Sequence, residues 1–413
     1  MGHRTRAQVN GTICFAYGTI CFALGGAHMP KLIQFDGKNL YCGGIPANVS
    51  NEIISSHDKN KIQSRPIILY GIGTIGLCVL KEFEYAGIPI AAVCDSHKTE
   101  FYSDGTIRPV VPLPEALTKY PDAYVLIVSM AFYDEIASTV QAYLPKDRIL
   151  DIRELASELP DATGLIYRDY VIEHLDAFNW LAEHLEDDLS REVLQGVLLG
   201  RINREPSCFS RISSSCPYFT SDIVQLREEE TFVDGGAYIG DTIADFLKES
   251  KGNFRKIFSF EPSKGHCDQI RSTYANLIAQ DRLALFQNGL WSCRKSFRLI
   301  EDDAGSYLAT NPHKEGFVVE TAALDDCITE PVSFIKMDIE SSELHALQGA
   351  QHLIRKYRPI LTICVYHKKE DLLEIPAYIH SLQPGYRYYL RHHSNRAYET
   401  VFYAIPEERV KHN

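Results

Sequence analysis

Residues 231–242 read TFVDGGAYIGDT, an apolar run that ends in an acid, turns through glycines and enters the helical pattern ADFLKES. Strand, glycine turn and helix in that order predict a nucleotide-sized site at the carboxyl end of a parallel sheet. The acid, Asp234, narrows the choice of ligand. A pyrophosphate beside it would put like charges a few ångströms apart in a partly buried place, which repel by several kcal/mol. The expected ligand is adenosine-sized, free of phosphate and cationic where it meets the strand. S-Adenosylmethionine, with an α-ammonium and a sulfonium, has those properties. The loop predicts Asp234, Gly235, Gly236, Gly240, Asp241 and Thr242 as cofactor-binding residues.

Downstream segments extend this reading. KIFSFEP ends in Glu261, twenty-seven residues after Asp234, where an acid can accept hydrogen bonds from both ribose hydroxyls. LALFQNGLW brings Asn288 to the expected adenine edge. FIKMDIE supplies Lys336, Asp338 and Glu340, and TICVYHK supplies Tyr366 and His367, at the ends of a fourth and a fifth strand. Residues two apart on a strand share a face, so Lys336, Asp338 and Glu340 line one side of the cleft if the extended run reaches that far.

Methyl transfer to oxygen requires an acceptor placed in line with the methyl group and the loss of its proton. His367, whose unperturbed pKa lies near neutrality, is the expected base, with Asp338 orienting it, binding the acceptor or acting as base itself. The equal alternative for His367 is a hydrogen-bonded edge histidine. Asp338, His367, Glu340 and Lys336 form the expected catalytic set. Asp338, Glu340 and His367 also offer donors that a divalent cation would take, but no spacing demands one, and metal independence is expected. In YYLRHHSNRAYETVFYAI, a final hairpin, Arg391 and His392 are further candidates for reaching an acceptor, with solvated loop residues as the plain alternative.

Composition bounds the rest. The 413 residues, 45% hydrophobic and 23% charged, suffice for two or three domains. A formal net charge of -12 argues against nucleic acid, whose phosphates need Lys and Arg. Eleven cysteines without a CxxC pair fit reduced thiols in the cytoplasm and signal no zinc site. The first 28 residues hold two arginines and GTICFA twice. They read as an artefact, as a leader or peripheral anchor too short to span a bilayer, or as a folded element. They are set apart from the fold.

A second glycine loop lies nearer the amino terminus. PIILYGIGTIGLCVLKEFEYAG, IPIAAVCDS and AYVLIVSM predict a parallel βαβ unit, with Gly71, Gly73 and Gly76 in the turn and Asp95 ending the next strand. Spacing and context match a dinucleotide fingerprint, with a loop that only makes the turn as the even alternative. The helical segment 170–202 carries Val171, Leu175, Phe178 and Leu185, then Leu194, Val197 and Leu198, as packing stripes, with Ser190 as N-cap. The serine-rich stretch after it reads as a loop, whose Tyr218 and Phe219 either cover the pocket or bury against the sheet.

FVDGGAYIGDT, FSFEPS, FIKMDIESSELHALQGA and ETVFYAI, in this order and spacing, resemble the FkbM-type methyltransferases over residues 167–405. The resemblance implies a class I α/β fold and S-adenosylmethionine-dependent methylation, usually of a hydroxyl on a sugar or polyketide-type product. Here Ser341 and Ser342 follow Asp338, Ile339 and Glu340 where the family commonly has glycine, and a serine can cap the helix that begins there. GIGTIG, VCDS and RPVVPLPEAL are similar to the Rossmann-like domain that precedes sugar acyltransferases, which implies a nucleotide-linked sugar as a possible ligand.

The expected organisation is therefore an artefact or leader at 1–28, a Rossmann-like unit at 29–152, a helical connector at 153–228 and a methyltransferase sheet at 229–413. The expected acceptor is a small hydroxylated molecule, with nucleotide-linked sugars included, and self-association is open. The competing class is a sugar-nucleotide or NAD oxidoreductase using GIGTIG, but the front unit lacks a Tyr and Lys four residues apart beside a serine.

Overall fold

In the computed structural model the glycine loop of residues 231–242 joins a buried strand to a helix at the middle of a seven-stranded sheet. The structure describes residues 12–15, 18–21, 31–47, 64–85, 87–103, 106–129, 133–152, 164–302, 305–309, 316–383 and 385–410. Within the first 28 residues, Thr12–Phe15 and Gly18–Cys21 pair as an antiparallel hairpin, and the remainder of the leader lies outside the described residues.

The front unit is built on β1 (Ile67–Tyr70), β2 (Ile90–Cys94), β3 (Tyr124–Ile127) and β4 (Ile149–Asp151). They form a parallel sheet in the order β4-β3-β1-β2, with α1 (Thr74–Tyr85) following the glycine turn. β1 is buried along its whole length, as a parallel strand covered on both faces should be. Residues 31–47 do not join this sheet. Ile33 and Leu40 pack into one apolar core with Tyr167, Phe178 and Leu181 of the connector, and Asn179 exchanges two 2.9 Å hydrogen bonds with the backbone of Ile33. The front unit thus begins later than position 29.

The connector comprises α2 (Gly164–Glu173), α3 (Leu175–His184), α4 (Asp188–Asn203) and α5 (Pro206–Ile212). Val171, Phe178, Leu185, Leu194, Val197 and Leu198 are all buried, while Leu175 is partly so. Two local expectations change. Asp187, not Ser190, caps α4, its carboxylate accepting from the Ser190 amide at 2.7 Å, because Ser190 Oγ is drawn instead to Leu390 N and Arg391. The serine-rich stretch is also partly helical, since α5 starts with a proline at its first turn.

The rear sheet contains β5 (Thr231–Gly235), β6 (Lys256–Phe260), β7 (Leu283–Phe286), β8 (Phe334–Met337), β9 (Ile360–Cys364), β10 (Tyr386–His392) and β11 (Thr400–Pro406). Their order is β7-β6-β5-β8-β9-β11-β10. The first five are parallel, β11 runs antiparallel to β9, and β10, antiparallel to β11, returns to the direction of the five. Strand order reverses at β5, so a crevice opens between the carboxyl ends of β5 and β8. A small sheet, including Ser296–Asp302 and Phe317–Ala322, is inserted between β7 and β8 and contributes Leu299 to the crevice wall.

Candidate active site

The crevice holds a cavity of about 920 Å³. Its floor is the glycine loop. Gly236 sits at φ +77°, and a Cβ there would lie 1.9 Å from the carbonyl oxygen of Asp338, so only glycine lets β5 and the end of β8 approach this closely. Gly236, Asp241 and Thr242 reach the cavity wall, the last two from the first turn of α6 (Asp241–Glu249). Gly235 and Gly240 do not. Gly235 is packed against Leu290, and Gly240, the N-cap of α6, against the ring of Tyr274, so both shape the loop without lining the site.

Asp234 overturns the expectation placed on it. Its side chain is fully buried beneath the floor and pairs with Lys336 at 3.1 Å. The Lys336 ammonium also donates to the carbonyls of Gly235 and Gly236, at 3.2 and 2.8 Å. With three acceptors for three N–H groups, Lys336 is a fixed cation that binds the loop to β8. It also lies at the cavity edge. Burial pushes the Asp234 carboxyl up, to about 6, against the pull of Lys336. Burial would lower the Lys336 ammonium, but the Asp234 and Asp338 charges outweigh it and hold it above its ordinary value.

Glu261 stands where the second-strand acid was expected. One carboxylate oxygen accepts from Tyr238 N at 2.9 Å and the other from Ser263 N at 2.8 Å, with His266 Nδ1 at 3.3 Å. Burial raises this carboxyl, countered by the Ser263 amide and His266. Asn288 also lines the cavity and donates to Glu320 O at 3.2 Å.

β8 ends at Met337, so Asp338 and Glu340 lie past the strand, yet both face the cavity. Glu340 occupies a left-handed turn at φ +51° rather than a strand or helix. Tyr218 donates to Asp338 Oδ2 at 2.8 Å and Tyr366 to Oδ1 at 3.2 Å. Burial would raise the Asp338 carboxyl, but Lys336 and His367 outweigh it and hold it below the usual carboxylate range. Tyr218 therefore covers the pocket, while its neighbour Phe219 buries among Phe232, Phe246 and Phe334.

His367 is not the expected free base. Its side chain is 5% exposed, with Nδ1 3.0 Å from Glu343 and Nε2 3.4 Å from Asp338 and 3.5 Å from Glu340. Burial would lower the imidazole, but these three carboxylates raise it to about 9, so it is an imidazolium at neutral pH. The donors that come together are those of Asp338, Glu343 and His367, all within 4.8 Å, and the ring's own charge stands among them. Glu343 also accepts from Ile339 N at 2.9 Å. The serine cap expected here is not made, since Ser342, at the N-cap of α7 (Glu343–Gln348), forms no side-chain cap bond.

Arg391 and His392 lie elsewhere. Arg391 is buried and paired with Asp187 and Asp222, and His392 is fully buried against Phe209 and bonded to Thr400. Sequence reasoning missed Tyr238, Asp245, His266 and Glu399 on the wall. Asp245 was detectable, one helical turn after Asp241 on the same face.

In the front unit, Gly71 has φ +105° and a Cβ on Gly76 would lie 2.1 Å from the Gly71 carbonyl oxygen, while Gly73 is unobstructed. Asp95 accepts from Ile72 N at 2.9 Å and from His97 N and Lys98 N at 2.9 and 3.2 Å, and Lys98 Nζ donates to Ile72 O at 2.6 Å.

A seven-stranded sheet in this order, with a cofactor-sized cavity at its switch point, is the architecture of the class I methyltransferase fold. Residues 234–388 match the family described as Methyltransferase FkbM domain. The crystal structure of methyltransferase FkbM from Methylobacillus flagellatus KT shares the fold at a TM-score of 0.54 and 24% identity, over 85% of this chain and 94% of that one. Residues 234–388 thus carry an FkbM methyltransferase domain, and the chain shares its fold with the Methylobacillus flagellatus protein. An rRNA methylase from Streptococcus thermophilus covers 45% of this chain and 90% of its own at a TM-score of 0.29 and 14% identity. An O-methyltransferase from Bacillus cereus in complex with SAH covers 54% and 92%, at 0.29 and 15%. No curated protein matches the chain.

Proposed function

We propose that the protein transfers the methyl group of S-adenosylmethionine to a hydroxyl oxygen of a neutral, hydroxyl-rich acceptor such as a sugar or a polyol portion of a natural product. One observation supports this most: the cavity wall carries the carboxylates of Asp241, Asp245, Glu261, Asp338, Glu340 and Glu399 against the single ammonium of Lys336. Such a wall attracts a sulfonium and an α-ammonium and repels phosphate. These acids, rather than Asp234, then supply the negative charge that a sulfonium ligand would meet. A nucleotide-linked acceptor would keep its diphosphate outside this cavity.

In this reading Glu261 holds the ribose diol, and Asp241 and Thr242 flank the methionine portion at the start of α6. Asp338, fixed by two tyrosine hydroxyls, orients the acceptor. Because the imidazolium of His367 already places a positive charge among Asp338, Glu340 and Glu343, the reaction proceeds without a divalent cation.

The test is incubation with methyl-labelled S-adenosylmethionine and a panel of free hexoses, polyols and sugar nucleotides, with products assigned by NMR. A methyl ether on a neutral sugar, unaffected by EDTA, is the expected product. Methylation confined to nitrogen or carbon would refute the hydroxyl reading, and loss of turnover with EDTA would refute metal independence.

A further inference from the structure

If the acceptor is a hydroxyl, its proton needs a recipient, and the side chains expected to take it are occupied. Lys336 is saturated by three acceptors, His367 is enclosed by carboxylates, and both oxygens of Asp338 accept tyrosine hydroxyls. Glu340 pairs with His367.

Glu399 differs from all four. It immediately precedes β11, which runs antiparallel to β9. A strand of reversed direction begins where its parallel neighbours end, so Glu399 arrives at the carboxyl edge of the sheet, on the cavity wall with Asp338. Two bonds fix its backbone there: His393 N donates to Glu399 O at 3.0 Å, and Val365 N to Thr400 O at 3.0 Å. Among the described residues no hydrogen bond or ion pair engages its carboxylate, which is half-buried.

Its backbone is held at φ +66°. A non-glycine residue in that region is strained, and such residues gather at functional sites. Among the described residues, four of the ten non-glycine residues with positive φ, namely Tyr218, Tyr238, Glu340 and Glu399, line this one cavity.

We propose that Glu399 is the general base of the transfer, receiving the acceptor's proton directly. This rests on the hydroxyl reading above. The acceptor oxygen forms a bond to the methyl carbon while the carbon–sulfur bond breaks, its electron pair leaving a neutral thioether on S-adenosylhomocysteine. The hydroxyl proton passes to the Glu399 carboxylate and from there to water at the cavity mouth.

The titratable groups around Glu399 are Asp338, Glu340 and Lys336 from the end of β8, Tyr218 from the loop before β5, and His393 across the β10–β11 hairpin. Burial, then the Asp338 charge, raises its carboxyl above the ordinary value, which favours proton uptake near neutral pH.

Calorimetric titration with S-adenosylhomocysteine first checks that Glu399→Gln binds within about twofold of wild type, since a base contributes to chemistry rather than to cofactor affinity. With labelled S-adenosylmethionine and the panel above, Glu399→Gln is expected to lower kcat about 10²–10³-fold at little change in acceptor KM, and Glu399→Asp to recover part of it. The acid limb of the wild-type kcat/KM profile should vanish in the glutamine variant. Turnover within about threefold of wild type, or an unchanged acid limb, would overturn the assignment.

Wild-type product methylated only on nitrogen or carbon overturns the hydroxyl reading instead. Should no panel member react, infrared difference titration of wild type against Glu399→Gln, with S-adenosylhomocysteine bound, decides the matter without an acceptor. A carboxyl titrating above the ordinary glutamate range near 4.3 supports the assignment, and one at or below it removes it.

Discussion

The chain contains two strand–glycine–helix turns, and they treat their acids alike before they diverge. In the front unit Asp95 accepts from Ile72 N, and in the rear unit Glu261 accepts from Tyr238 N, so each second-strand acid ties back to its own glycine loop. Beneath the loops the resemblance ends. The front strand finishes in Tyr70, bonded to Ser96, and Lys98 closes over the loop carbonyl of Ile72. The rear strand finishes in the buried Asp234–Lys336 pair, and six carboxylates face the cavity above it. A glycine loop therefore marks the turn of a fold, and the charges on the strand ends around it decide which ligand can enter.

The largest expected effect breaks the pair that sets the two loops apart. Asp234→Ala leaves the Lys336 ammonium buried without its counter-charge, at a cost of about 3–5 kcal/mol. Asp95→Ala removes three amide bonds at a more exposed place and should cost only about 1–3 kcal/mol. Denaturant unfolding of both variants measures the contrast. Adding Lys336→Met to Asp234→Ala should restore much of the loss, because it removes the stranded charge. Equal losses from Asp234→Ala and Asp95→Ala would mean that the buried pair does not distinguish the loops.

The second effect depends on pH. The folded-state pKa of His367, about 9, lies above its unfolded value of 6.5. Its stabilising contribution is then complete below pH 6.5 and is lost as pH rises through 9. A shift of this size corresponds to about 3 kcal/mol. Wild type should lose stability between pH 6.5 and 9 more steeply than His367→Gln. Parallel curves would show that the ring is neutral in the fold.

Ligands give a third, slightly smaller separation. S-Adenosylhomocysteine at a hundred times its Kd should stabilise the chain by about 2.7 kcal/mol, and Glu261→Ala should abolish that gain while Asp95→Ala preserves it. Thermal shift assays suffice. NADH is expected to give no shift, and a shift with NADH alone would assign the working site to the front loop.

How much of this was legible depends on whether a property is local. The two sheets, the strand–turn–helix units and the positions of Glu261, Asn288 and Asp338 follow from periodicity and from the rule that ligands sit at strand carboxyl ends. The errors have one source. Whether Asp234 meets the ligand or Lys336, and whether His367 meets water or three carboxylates, is settled by contacts between residues far apart in the chain. Glu399 escaped notice because that rule looks past the start of an antiparallel strand.

The smallest prediction concerns Ser341, where the family commonly has glycine. The structure gives a reason for that preference: Ser341 sits at φ +77°, directly after Glu340 at φ +51°, and Lys368 binds its carbonyl. No serine side chain caps the helix that follows, where the N-cap is Ser342. A left-handed non-glycine residue is strained by about 1–2 kcal/mol, whereas glycine loses an extra ~0.5–1 kcal/mol of conformational entropy on folding. Ser341→Gly should therefore stabilise the chain by at most about 1 kcal/mol, visible as a higher denaturant midpoint at unchanged slope. The equivalent test in the front loop has the opposite sign. Gly71→Ala would put a Cβ 2.7 Å from the Val128 carbonyl oxygen at φ +105°, so it should destabilise. A destabilised Ser341→Gly would mean that the entropy glycine loses on folding outweighs the strain relieved at this turn.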